Sequence, residues 1–218
     1  MKIDYKNKYD KIISLGFNCF IKRFKQQELK ISEETDLFDY IGTPMWGINL
    51  FIQNDFTGLD KKNEYINMKI NEKKTMITHN QYYFRFLHDL KNDNLNNIFD
   101  EFVNKYTRRI ERFKNIIINQ KNILFIRIEE DQNRIKHKEY KDKYKRTEID
   151  YLQEFCGLIT AMNPDLHFKI IFISKSLQNN VMDKIIILND PIAYKWESAH
   201  RDIRNTLDRH NDFLEKLI

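Results

Sequence analysis

The sequence predicts an α/β fold: one domain spanning residues 1–218, with a mostly parallel central sheet flanked by helices and an irregular insertion at residues 55–95. Three observations lead there. Near-continuous apolar runs at residues 122–128, 168–174 and 184–188 have the pattern of strands covered on both faces. Apolar residues at three- and four-residue spacing fill residues 95–117, before the first of those runs, and 148–162, between the first and the second, giving the strand–helix–strand order of an α/β unit. With 5 Gly and 3 Pro the chain lacks the turn residues that an all-β fold needs.

Taken in order, residues 11–15 (Lys-Ile-Ile-Ser-Leu) form the first strand, and Gly16 turns the chain into a short helix over 19–27. Residues 36–40 read as a short extended piece. Thr43-Pro44 reads as a helix start, with Thr43 as the cap and Pro44 in the first turn. That helix runs to about residue 54. Weak alternation at 65–70 and 75–78 suggests short strands in the insertion, and the aromatic run 81–89 reads as a strand ending in His88-Asp89. A polar linker at 91–97 leads into the longest helix, on which Phe99, Phe102, Tyr106, Ile110, Phe113 and Ile117 mark one stripe. Residues 122–128, 168–174 and 184–188 are buried strands, 148–162 is an amphipathic helix, and 194–218 is largely helical.

Composition narrows the function classes. Of 218 residues, 41% are hydrophobic and 32% charged, the balance of a globular protein with a substantial core. No run is long enough to span a bilayer, and residues 1–6 lack a signal-peptide core, so a cytoplasmic protein is expected. Two cysteines make no disulfide framework. The net charge of +5 gathers around residues 134–146. A solvated surface is the first reading of that stretch, and a nucleic-acid contact is unlike so short a run. No Cys-x-x-Cys, paired-His or Gly-rich phosphate motif is present, so neither a metal nor another cofactor is expected.

The residues suited to chemistry converge on the first strand–helix turn. Cys19 stands where a helix begins, next to unpaired amides and the positive end of the dipole, both of which favour a thiolate. His88 offers a base. Asp89 follows it, but neighbouring side chains on a strand face opposite ways, so Asp39 or Asn80 is an alternative orienter. Asn18 is placed to donate to an oxyanion. Equally, Cys19 reads as a small core residue, since free Cys is among the most buried types. Cys156 lies on an apolar helical stripe and reads as core, and His79, His137 and His167 read as surface residues. Ser14 with Glu197 and His200 forms a faint esterase-like alternative. Arg109 and Arg112 share one helix face and either bind a substrate carboxylate or phosphate, or pair with acids of their own helix.

Several of these motifs, in series, resemble a papain-like cysteine peptidase family described as a domain of unknown function. Ile13-Ser14-Leu15-Gly16-Phe17-Asn18-Cys19 is similar to its Ser-Leu-Gly-x-Asn-Cys opening. Leu37-Phe38-Asp39-Tyr40-Ile41 resembles its Phe-Asp-Trp-Ile segment, with Tyr40 in place of Trp. Asn54-Asp55-Phe56, Phe86-Leu87-His88-Asp89, Arg108-Arg109-Ile110-Glu111-Arg112-Phe113 and the strand at 121–127 follow in order, so the resemblance covers residues 11–190. It implies a thiol peptidase with Cys19 as nucleophile, His88 as base, and a peptide or small-molecule substrate. It also implies a helix packed on an antiparallel sheet, whereas the second half of the chain reads as parallel α/β. The alternative function is a non-peptidase transferase or binder that holds an anionic small molecule at the sheet edge with Arg109, Arg112 or Arg127.

Overall fold

The computed structural model describes residues 3–16, 19–31, 34–71, 74–86, 88–89, 95–130, 146–190 and 199–218. Its centre is a five-stranded sheet in the order β1-β6-β7-β9-β8. Strands β1 (Lys11–Ser14), β6 (Asn122–Ile128), β7 (His167–Ser174) and β9 (Ile185–Asn189) run parallel, and β8 (Asn180–Met182) is an antiparallel edge. The three apolar runs are β6, β7 and β9, as their pattern predicted.

Alternate residues of these strands feed two cores. Leu124, Ile126, Ile128, Ile171, Ile173, Ile186 and Leu188 pack with α1 (Tyr5–Lys8), α2 (Phe20–Gln27), α6 (Ala199–Arg209) and α7 (Asn211–Leu214). Ile123, Phe125, Ile170, Phe172, Ile185 and Ile187 pack on the other face with α3 (Met45–Gln53), α4 (Leu95–Asn119) and α5 (Glu148–Met162). Each fully buried Ile or Phe contributes roughly 1.5–3 kcal/mol relative to an exposed one, so water on either face would undo the sheet. The capping box between Thr147 and Asp150 fixes where α5 starts.

The insertion is more ordered than its polarity suggests. It supplies β3 (Tyr65–Asn71), β4 (Lys74–His79) and β5 (Arg85–Phe86) to a second, antiparallel sheet, whose edge strand β2 (Ile41–Gly42) comes from before the insertion; the order is β2-β5-β4-β3. The aromatic run 81–89 is therefore not one strand. Residues 80–83 turn, closed by hydrogen bonds from His79 N to Phe84 O and Tyr83 N to His79 O, and among the described residues of the run only Arg85 and Phe86 pair. His79 is not a surface residue but 0% exposed. Its ring lies between Tyr65 and Tyr82, and its Nε2 is 3.1 Å from Gly58 O. His167 is exposed as expected, and His137 lies outside the described residues.

Two local expectations are also corrected. Residues 36–40 form a turn rather than an extended piece, because Asp39 Oδ2 accepts the Asp36 amide and buried lysines of α2 hold both carboxylates. Thr43 does not cap α3. Its hydroxyl donates instead to Leu15 O, 3.1 Å away, tying the start of α3 to the end of β1. Among the described residues, no helix is long and apolar enough to cross a membrane.

Candidate active site

The first strand ends in a turn with little freedom. Leu15 still donates to Ile126 O, and Ser14 Oγ accepts the Gly16 amide at 3.1 Å. Gly16 has φ +74°, and a Cβ there would lie 1.8 Å from Thr43 Oγ1, so only glycine fits. Arg127, fully buried on β6, donates from Nη1 to both Leu15 O and Thr43 O at 2.8 Å and from Nε to Glu148 at 2.7 Å. This bracing sets the path of the chain into α2.

Cys19 is the residue before α2, and its carbonyl accepts the Arg23 amide. The thiol is 2% exposed and packs in the apolar cluster beneath α2. One turn further along, Lys22 and Lys25 are buried against the loop that carries Tyr40. Lys25 pairs with Asp36, and Asp39 Oδ2 lies 3.5 Å from Lys22 and 3.7 Å from Lys25. Burial pushes the Asp39 carboxyl above the usual range, Lys25 and Lys22 pull it down, and the Asp36 charge adds to the rise.

Tyr40 follows Asp39 with φ +65°, a left-handed conformation unusual for a bulky residue. Its ring meets the His88 imidazole edge to face, with centroids 5.4 Å apart. Its phenol is pushed up first by burial, then by the Asp39 and Cys19 charges, and is pulled down by Arg23 and Arg109. Tyr40 thus sits between the helix that carries Cys19 and the segment that carries His88. His88 is exposed and follows β5 by two residues.

Residues 10–177 match the family described as "Putative papain-like cysteine peptidase (DUF1796)". The chain belongs to this family. No curated protein and no solved structure matches it. In this member Cys19 does not ride on a helix packed against an antiparallel sheet. It follows the edge strand of the parallel sheet, at the C-terminal ends of the strands, where open α/β sheets hold ligands. His88 comes instead from the end of the antiparallel sheet.

The other expected site residues of this family member separate by role. Asp89 does not spend its oxygens on His88: Oδ1 pairs with Lys105 and Oδ2 accepts from Tyr106 at 3.1 Å, anchoring the His88 segment to α4. Arg109 lies over the Tyr106 ring at 5.0 Å. Arg112 turns away, to Thr35 O and Glu34, so the two arginines do not act together. Arg127 is committed to the bracing described above. Ser14 is buried and holds a turn, which leaves it no nucleophile's position. Asn18, Glu197 and Ser198, and all of the basic stretch but Arg146, lie outside the described residues. Burial pushes the Cys156 thiol up to about 12, with Lys184 pulling the other way; the residue is half-buried and packs against the core.

Nothing in the sequence marks Tyr40 as a site residue. A lone aromatic beside a buried Asp carries no periodic signal, and only the ring contact with His88 marks it. A cavity of about 980 Å³ opens at the C-terminal ends of β6 and β7, lined by Glu129, Glu130, Glu148, Lys175 and Leu177 among others. Cys19, Tyr40 and His88 are not part of its lining. Among the described residues, no group of three or more His, Cys, Asp or Glu could hold a metal ion.

Proposed function

We propose that the protein is a thiol hydrolase of the peptidase type, with Cys19 as nucleophile and His88 as its base. The contact of Tyr40 with His88, beside the turn that carries Cys19, is the observation that supports this reading most directly. In it, His88 takes the Cys19 proton as Sγ attacks the substrate carbonyl. The oxyanion forms beside the Cys19 amide and Asn18, at the positive end of α2. His88 returns the proton to the leaving group, and water then cleaves the thioester with His88 again as base. Asp89 acts as an anchor for the His88 segment, and Asp39 for Tyr40.

The test is alkylation of Cys19 by iodoacetamide from pH 5 to 9, in the parent and in His88→Ala. Loss of the base should slow labelling near pH 7 by roughly tenfold or more, within the ~10²–10⁴-fold range of general-base effects. An unchanged rate and pH profile in His88→Ala would sink the dyad. It would favour the second reading, an anion-binding protein that uses Arg109, which stacks on Tyr106 and has no carboxylate partner among the described residues.

A further inference from the structure

Arg109 leaves a surplus of positive charge beside the candidate dyad. Its Nη1 is 3.4 Å from the Tyr106 hydroxyl, which itself donates to Asp89, the neighbour of His88. Among the described residues Arg109 has no carboxylate partner, whereas Arg112 pairs with Glu34 and Lys105 with Asp89. The nearby carboxylates are already committed: Asp39 to Lys22 and Lys25, and Asp89 to Lys105. A second cation, Arg23, stands one turn past Cys19 on α2, its amide bonded to the Cys19 carbonyl, and so shares that face of the helix. Both guanidinium groups act on Tyr40, whose ring touches His88.

We propose that the site selects acyl substrates that carry a carboxylate beside the reacting carbonyl, and that Arg109 is the side chain that receives it. This rests on the thiol-hydrolase reading. A guanidinium suits the role because its planar fork matches a carboxylate with two parallel hydrogen bonds. Stacking on Tyr106 holds the fork in place beforehand, so less side-chain freedom is lost on binding. An acidic residue next to the scissile bond, or a short acyl compound with a free carboxylate, has the required chemistry.

Two alkylating reagents of nearly equal size separate the charge effect from thiol reactivity. Iodoacetate places a carboxylate next to the carbon that Cys19 attacks, and iodoacetamide places a neutral amide there. In both, the thiolate supplies the electron pair for the S–C bond and iodide leaves. The readout is the iodoacetate-to-iodoacetamide rate ratio at Cys19, divided by the same ratio for glutathione. The parent protein should exceed the glutathione reference by roughly three- to tenfold at low salt, as expected for a charge pair several ångströms apart near a protein surface, and the excess should shrink with added salt. Arg109→Gln should bring the ratio down to the reference, and Arg109→Lys should keep part of the excess. Arg108→Gln, which removes the same charge from an exposed position on the same helix, should keep all of it. A parent ratio equal to that of glutathione, or equal losses in Arg108→Gln and Arg109→Gln, overturns the carboxylate preference and leaves the thiol reading standing. Failure of both reagents to modify Cys19 overturns the thiol reading itself, and the preference with it.

Discussion

At the scale of single residues, the two cysteines show how little the residue type decides. Both are sheltered, and both occur in apolar sequence. Cys156 is held inside α5, where every nearby amide is spent in the helix, and burial raises its pKa to about 12. Cys19 stands before the first turn of α2, where amides have no helical acceptors, and a histidine-bearing segment approaches through Tyr40. Peptide mapping after alkylation at pH 7.5 should therefore find Cys19 modified while Cys156 remains intact, since only about 1 in 10⁴–10⁵ of its molecules would carry a thiolate. Equal labelling of the two would show that position in the fold gives Cys19 no advantage. Tyr40 adds the second residue-scale lesson. A bulky side chain at φ +65° costs of order 1–3 kcal/mol. The strain persists because Asp39 is locked on one side and Ile41 is paired to Phe86 on the other.

At the scale of elements, the sequence was most legible where one physical rule dominates. Strands β6, β7 and β9 are buried on both faces, so their composition alone revealed them, and α4 carries a stripe too regular to miss. The two-residue strands β2 and β5 were not legible, because two residues have no period. They exist because Arg85 and Phe86 pair with β4, across the turn at 80–83, on one side and with β2, distant in sequence, on the other. The burial of His79 is hidden in the sequence for a related reason. Its neighbours Asn80 and Gln81 are polar, and only the turn at 80–83 brings Tyr82 over its ring. The same enclosure makes His79 a titration sensor for the second sheet. Burial lowers its pKa below 6.5, outweighing the opposing hydrogen bond to Gly58 O and the Glu64 charge. The unfolded chain therefore takes up the proton first as pH falls, so the stability His79 contributes is complete above about pH 6.5 and declines below it. In urea titrations from pH 7.5 to 5.5, the parent should lose stability relative to His79→Gln. Parallel curves for the two would show that the ring is not kept neutral by the fold.

At the scale of the whole molecule, the candidate site lies where two sheets of different kinds meet, and this is why its halves read separately. The parallel sheet supplies Cys19, the antiparallel sheet supplies His88, and no single motif contains both. What joins them is a buried chain of charges centred on Arg127. This side chain holds Leu15 O and Thr43 O from one nitrogen, binds Glu148 from another, and lies 4.0 Å from Glu130, which also pairs with Arg85 on β5. The sequence shows Arg127 as a charge interrupting an apolar strand and so as a candidate for holding an anion, with no sign of the two carbonyls and the carboxylate that it holds. A guanidinium is required because a single ammonium cannot reach two carbonyls and a carboxylate in fixed directions. Arg127→Met should cost about 3–5 kcal/mol in urea unfolding, as for other buried pairs that lose one member, because Glu148 is left without its cation. Arg127→Lys keeps the charge but not the fork. It should remain folded, yet label more slowly at Cys19, because the turn that directs the chain into α2 loses its brace. A loss below about 1 kcal/mol in Arg127→Met, or a labelling rate in Arg127→Lys equal to that of the parent, would show that the two sheets hold the site without this network.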